Sequence, residues 1–317
     1  MNDLKTFVLD HLPLRDFFLA RSLKEYIVDA KDSNLMLSEI IKSNKPSLVG
    51  RIGVIEAQVL RCFKDLYDSG QSGYWPSSLF SRVSYGKRCK QLINNAGVYP
   101  ISRESIMEFS HEHMAALSNS DLLGVWSRTY TSIEAEFFDN SCMGLVPQIS
   151  TCPWVTEDPS EFGYWSNSLD QMKVLVISPF VEEFENQLKV INKIFIGIRF
   201  PKAHFIFCKS PLTQGGLNDG MNWMEHLKTM KDKMSKLEFD VALISAGSYA
   251  LPLAAHAKKM GKIGINCGGE LQLFFGVIGG RWDKTGRHNK YKNEYWIRPF
   301  YSSRPENWNT IEKGCYW

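Results

Sequence analysis

From residue 239 the chain reads Phe-Asp-Val-Ala-Leu-Ile, then breaks at the small-residue turn Ser245-Ala246-Gly247-Ser248. This pattern predicts a strand over Val241–Ile244, a helix over 249–260, and a second apolar strand over 263–266 that runs into Gly268-Gly269. Two strands joined by a helix within about 30 residues form a βαβ unit, and such a crossover makes the strands parallel. In open parallel sheets ligands bind at the carboxyl ends of the strands, where both small-residue turns fall. Backbone N–H groups at the start of the intervening helix attract anions, phosphate above all.

The rest of the chain extends the same pattern. A strand over 46–52 ends in Arg51-Ile52-Gly53, and a helix over 54–68 follows. Residues 69–83 read as a loop, 85–95 and 103–118 as helices, and 122–126 as a strand. Residues 139–170, with prolines, cysteines and aromatic residues, show no clear period. Strands over 173–177 and 204–208 then alternate with helices over 181–195 and 221–236. The expected fold is α/β: a doubly wound, mostly parallel, Rossmann-like sheet with helices on both faces. An N-terminal helical segment, 1–44, split at Pro13, precedes an α/β domain over 45–317. That domain has possible halves at 45–138 and 171–317, joined by the irregular stretch.

Bulk properties narrow the functional classes. The formal net charge is +3, from 37 basic and 34 acidic residues, so nucleic acid is not an expected partner. Seven scattered cysteines, none in a C-x-x-C pair, suggest reduced thiols rather than a disulfide framework or zinc site. No apolar run approaches the roughly 20 residues needed to cross a bilayer. Asp10, His11, Arg15 and Asp16 interrupt any signal-peptide core. The expected location is cytoplasmic, with peripheral association at the inner face of a membrane left open.

Three constellations carry chemistry, each beside a plainer reading. Ser245, Ala246, Gly247, Ser248 and Tyr249 form either an anion-binding turn or an ordinary βα connection. Gly268 and Gly269, with Gln272, Arg281 and Trp282 beyond them, let backbone approach a ligand or merely relieve crowding. There an arginine suits a diphosphate and an aromatic ring suits a base or sugar. Arg51 and Gly53 precede Glu56, whose charge favours a helix first turn even without a catalytic role. No G-x-G-x-x-G, P-loop, Asp-x-Asp or G-x-S-x-G motif occurs. His111-Glu112-His113 lacks zinc spacing and reads as surface, and His256 reads as a packing residue.

The C-terminal third resembles bacterial glycosyltransferases with the GT-D fold, found in capsule and lipopolysaccharide clusters. The likeness rests on Asp240–Ile244 with Ala246-Gly247 and Tyr249, on Lys258–Lys262, and on Gly268–Leu273. It continues through Phe275-Gly276-Val277, Arg281-Trp282-Asp283, Asn293–Trp296 with Arg298-Pro299, and Glu312–Trp317. Asn94–Gly97 and 123–126 also look similar. The resemblance implies transfer of a sugar from a nucleotide diphosphate donor to a glycan or lipid-linked acceptor in surface-polysaccharide synthesis. In those enzymes an Asp-x-Glu element after an Arg-x-Gly turn is implicated in binding donor and divalent metal, Mn2+ or Mg2+. Arg51-Ile52-Gly53-Val54-Ile55-Glu56 keeps the glutamate but has valine at the aspartate position. Arg51, Arg281 and the 245–248 turn are then expected to meet the leaving diphosphate. Glu56 leads the catalytic carboxylates, with Glu294 and Glu270 behind it. Two alternatives stay open: a non-catalytic nucleotide-sugar-binding assembly protein, and another nucleotide-dependent sugar-modifying enzyme.

Overall fold

A computed structural model describes residues 27–68, 86–125, 142–152, 164–216, 219–285 and 289–317. Short apolar runs pair there into a seven-stranded sheet. The strands are β1 (Ser47–Arg51), β2 (Leu122–Val125), β3 (Leu145–Pro147), β4 (Lys173–Ser178), β5 (His204–Lys209), β6 (Val241–Ile244) and β7 (Ile263–Asn266). Their order is β3-β2-β1-β7-β6-β4-β5, and every pairing is parallel. β2, β6 and β7 are buried at every residue. Continuous Val, Ile and Leu runs are what a parallel sheet covered on both faces requires.

Successive strand side chains feed two separate cores. Leu48, Leu123, Leu175, Ile177, Ala242 and Ile244 face one side. They meet helices α2 (Val54–Asp68), α3 (Arg103–Ser118), α6 (Trp223–Met234) and α7 (Ala250–Lys259). Val49, Leu122, Val174, Val176, Leu243 and Ile265 face the other. That side is covered by α1 (Ala30–Ser43), α4 (Val181–Leu188), α8 (Leu271–Phe274) and the C-terminal aromatics Trp282, Trp296 and Trp317. Local chemistry sets the helix starts. Asp29 accepts the Asp32 N–H at 2.8 Å to cap α1, and Asn222 with Glu225 forms a capping box on α6. Asn34 of α1 accepts the Trp165 N–H at 2.6 Å, tying this helix to the segment before β4.

Chain leaving β1 turns toward β2, and chain leaving β4 turns toward β5. These connections diverge on either side of β7 and β6 and open a crevice at the carboxyl ends. The α/β reading holds, and so do the predicted strands and helices to within a few residues. Two differences stand out. The stretch read as irregular contains β3, the outermost strand, where Pro147 is tolerated at the strand's end, past the single bridge from Ile27 to Leu145 on its outer side. The helix expected over 181–195 is broken into α4 and α5 (Ile191–Ile194). Residues 1–26 with Pro13, the 69–83 loop and Trp126 lie outside the described residues. No described helix is long and apolar enough to cross a membrane.

Candidate active site

A cavity of about 540 Å3 lies at the carboxyl edge of β1, β7, β6 and β4. Arg51 and Gly53 enter it after β1, Pro179 and Phe180 after β4, Ser245 and Gly247 after β6, and Asn266, Gly268 and Gly269 after β7. Val54, Ile55 and Glu56 from the first turn of α2 and Ala250 from the first residue of α7 also line it. Two helix N-termini therefore open on the cavity, and each brings the positive end of its dipole.

Arg51 is held from behind. Its Nη1 donates to the carbonyls of Gln148 (3.3 Å) and Cys267 (3.1 Å) and to Thr151 Oγ1 (3.2 Å). Glu270 Oε2 stands 3.7 Å from the same nitrogen, and only 11% of the arginine side chain is exposed. Among the described residues Nη2 has no hydrogen-bond acceptor. It faces Gly268, whose φ of +60° is left-handed. A Cβ at residue 268 would stand 2.5 Å from Arg51 Cζ and 2.6 Å from Nη2. Glycine thus meets two demands there, on backbone angle and on space.

The second arginine repeats the arrangement. Arg281 Nη2 pairs with Glu312 and donates to Cys315 Sγ at 3.1 Å and to the Tyr316 hydroxyl at 3.2 Å. Its guanidinium lies 4.7 Å from the Tyr316 ring centre, a cation–π contact. Nη1 is 3.7 Å from where a Gly269 Cβ would stand. Burial pushes the Cys315 thiol up to about 12, which keeps it protonated and unreactive. Gly280 N–H donates to Trp317 O at 3.0 Å and Arg281 N–H to Cys315 O at 2.9 Å, so the last residues form the cavity wall beside α9 (Gly280–Thr285).

Glu56 folds back over Gly53, where a Cβ would overlap the carboxylate and stand 2.8 Å from its Cδ. Burial in the cavity wall raises its pKa from 4.5 to about 7. A hydrogen bond from its own backbone opposes the rise, the Glu312 charge adds to it, and Arg51 opposes it. A carboxyl poised near neutrality can exchange a proton with bound reactants.

Other predicted site residues have different positions. Ser248 is buried; its hydroxyl donates to Ala96 O at 2.6 Å and accepts from Trp223 Nε1 at 2.8 Å. Tyr249 is buried, stacks on Trp223 at 5.6 Å and meets Thr213 Oγ1 at 3.0 Å. Ala246 and Trp282 are core residues. Gln272 is fully buried and donates to Tyr316 O at 3.3 Å, supporting the wall from behind. None of these five lines the cavity. Glu294 is exposed and lies outside it too, because its neighbour Asn293 anchors that turn to the carbonyls of Lys193 and Ile194. His113, read as surface, is buried against Phe109, and burial lowers its pKa to about 4.

Sequence reasoning missed the supports Gln148 and Thr151 and the lining residues Asn95, Gln214 and Glu312. The only signal for Asn95 and Glu312 was their presence in the resembling segments Asn94–Gly97 and Glu312–Trp317. Valine stands at 54, and Glu270 and Glu312 each face an arginine. Among the described residues no three His, Cys, Asp or Glu side chains group to hold an ion.

The model of the GT-D fold-like domain matches residues 35–274. The chain therefore belongs to the GT-D fold-like family, a glycosyltransferase-type fold. Neither curated proteins nor solved structures gave a match. The matched span contains Arg51, Glu56, Gly247 and the Gly268-Gly269 pair, whereas Arg281, Glu312, Tyr316 and Trp317 lie beyond it.

Proposed function

We propose that the protein is a glycosyltransferase that moves a sugar from a nucleotide diphosphate donor to a glycan or lipid-linked acceptor in bacterial surface-polysaccharide synthesis. The observation that carries this reading is the meeting of Arg51, Arg281, the Gly268-Gly269 turn and Glu56 around one cavity at the carboxyl edge of the sheet. Cleavage of the donor leaves its electron pair on the diphosphate, and two guanidiniums with two helix N-termini stabilise that growing charge. The acceptor oxygen forms the new bond to the anomeric carbon as the bond to phosphate breaks. Its proton passes to the Glu56 carboxylate, whose raised pKa suits a base working near neutral pH. Acceptor delivery at the inner face of a membrane, by a peripheral protein, belongs to the same reading.

The test is a mass-spectrometric binding screen of UDP- and GDP-sugars, followed by assay of nucleoside diphosphate release. One class of donor should bind and release its diphosphate slowly to water, and this release should be lost in Glu56→Gln. A full donor panel that neither binds nor turns over refutes the proposal. Val54 favours a second reading, a non-catalytic nucleotide-sugar-binding subunit. That reading predicts donor binding with no release and cellular polymer synthesis unaffected by Glu56→Gln.

A further inference from the structure

Arg51 and Arg281 each commit one Nη to protein acceptors and turn the other toward adjacent glycines, Gly268 and Gly269. An acidic partner, Glu270 or Glu312, accompanies each arginine. The two acidic partners differ in their settings. Glu270 stands 3.7 Å from an Nη1 that already has three oxygen acceptors, and it is only 17% exposed. Glu312 pairs directly with Arg281, lines the cavity, and has left-handed backbone, φ +46°, as does Lys313 at +60°. Non-glycine residues rarely adopt that conformation, so the turn is held by its contacts. Those contacts are the guanidinium, the Cys315 thiol donating at 3.3 Å, and Asn95 Oδ1 accepting the Glu312 N–H at 3.5 Å.

From this pattern we infer that the cavity takes a nucleoside diphosphate without a divalent cation, with Glu312 as a built-in anion that the ligand displaces from Arg281. This rests on the donor-binding reading above and deepens it. The charge that a metal brings to a diphosphate is here supplied by two guanidiniums, each with one Nη that has no hydrogen-bond acceptor among the described residues. Planar, forked donors match phosphate oxygens bidentately, which a lone ammonium cannot do. Val54 fits this arrangement, because an aspartate there would add a fourth carboxylate to a cavity already lined by Glu56, Glu270 and Glu312.

UDP and GDP serve as probes, titrated calorimetrically against the full chain in EDTA and again in Mn2+, with wild type and Glu312→Gln. The expected result is one nucleotide binding with Kd values within about twofold in the two buffers, tightened several-fold in Glu312→Gln. Binding that appears only with Mn2+, or improves tenfold or more with it, overturns the inference and leaves the donor-binding reading intact. Unchanged or weaker binding by a folded Glu312→Gln overturns the displacement. Absence of binding in either buffer sinks this inference and the reading beneath it together. A circular-dichroism melt of each variant separates lost binding from lost fold.

Discussion

Gly268 and Arg51 meet so closely that a methyl group on residue 268 would stand 2.5 Å from the guanidinium carbon. The residues are far apart in sequence, and the parallel pairing of β1 with β7 brings their carboxyl ends together. Gly268→Ala is therefore expected to displace the arginine and to strain the backbone at φ +60°. The expected cost is about 1–3 kcal/mol in folding stability, with weakened nucleotide binding. Urea denaturation beside a nucleotide titration checks both effects.

Arg51→Lys should keep the charge and still fail. A lysine ammonium cannot bridge Gln148 O, Thr151 Oγ1 and Cys267 O while presenting a second donor edge to the cavity. Losing one charge-assisted contact predicts weaker nucleoside diphosphate binding by about 1.5–3 kcal/mol. Isothermal titration of the folded variant measures it.

Glu56→Gln should leave nucleotide affinity within about twofold and lower turnover by about 100- to 10,000-fold, the usual range for a lost general base. Wild-type turnover should rise with pH through about 7 as this carboxyl ionises. Glu312→Gln, which removes a charge that raises the Glu56 pKa, should move that rise to lower pH.

Stability carries the matching sign. The Glu56 pKa is raised in the fold, so its favourable contribution is full below the unfolded value of 4.5 and is lost as pH climbs through about 7. Wild type should lose more stability between pH 5 and pH 8 than Glu56→Gln does. Parallel denaturation curves at the two pH values provide the comparison.

Ser248→Ala separates scaffold from site. It removes the hydroxyl that joins Ala96 O to Trp223 Nε1 and leaves both buried groups unpaired. The expected result is a loss of about 1–3 kcal/mol in stability with nucleotide affinity unchanged.

These residues also mark where the sequence was readable. Val241–Ile244 and Ile263–Asn266 declare themselves because a doubly covered parallel strand must be apolar throughout. The turns after them fall at the carboxyl edge as a consequence, so Arg51, Gly247 and Gly268 could be foreseen together. Ser248, Tyr249, Gln272 and Trp282 have chemistry that suits a ligand, but their side chains are buried and do not line the cavity. β3 was hidden because Leu145-Val146-Pro147 is too short to display a period. Gln148 and Thr151 reach Arg51 across about a hundred positions of sequence, a relation that no local pattern records. The C-terminal wall is built of short turns with left-handed residues at 312 and 313, which also lack periodicity.

Titration of UDP and GDP against wild type, Arg51→Ala and Arg281→Ala tests the diphosphate site most directly. The account predicts that one nucleotide binds wild type and that each folded variant loses at least tenfold in affinity. Equal affinity in all three proteins, or no binding to wild type, would contradict it.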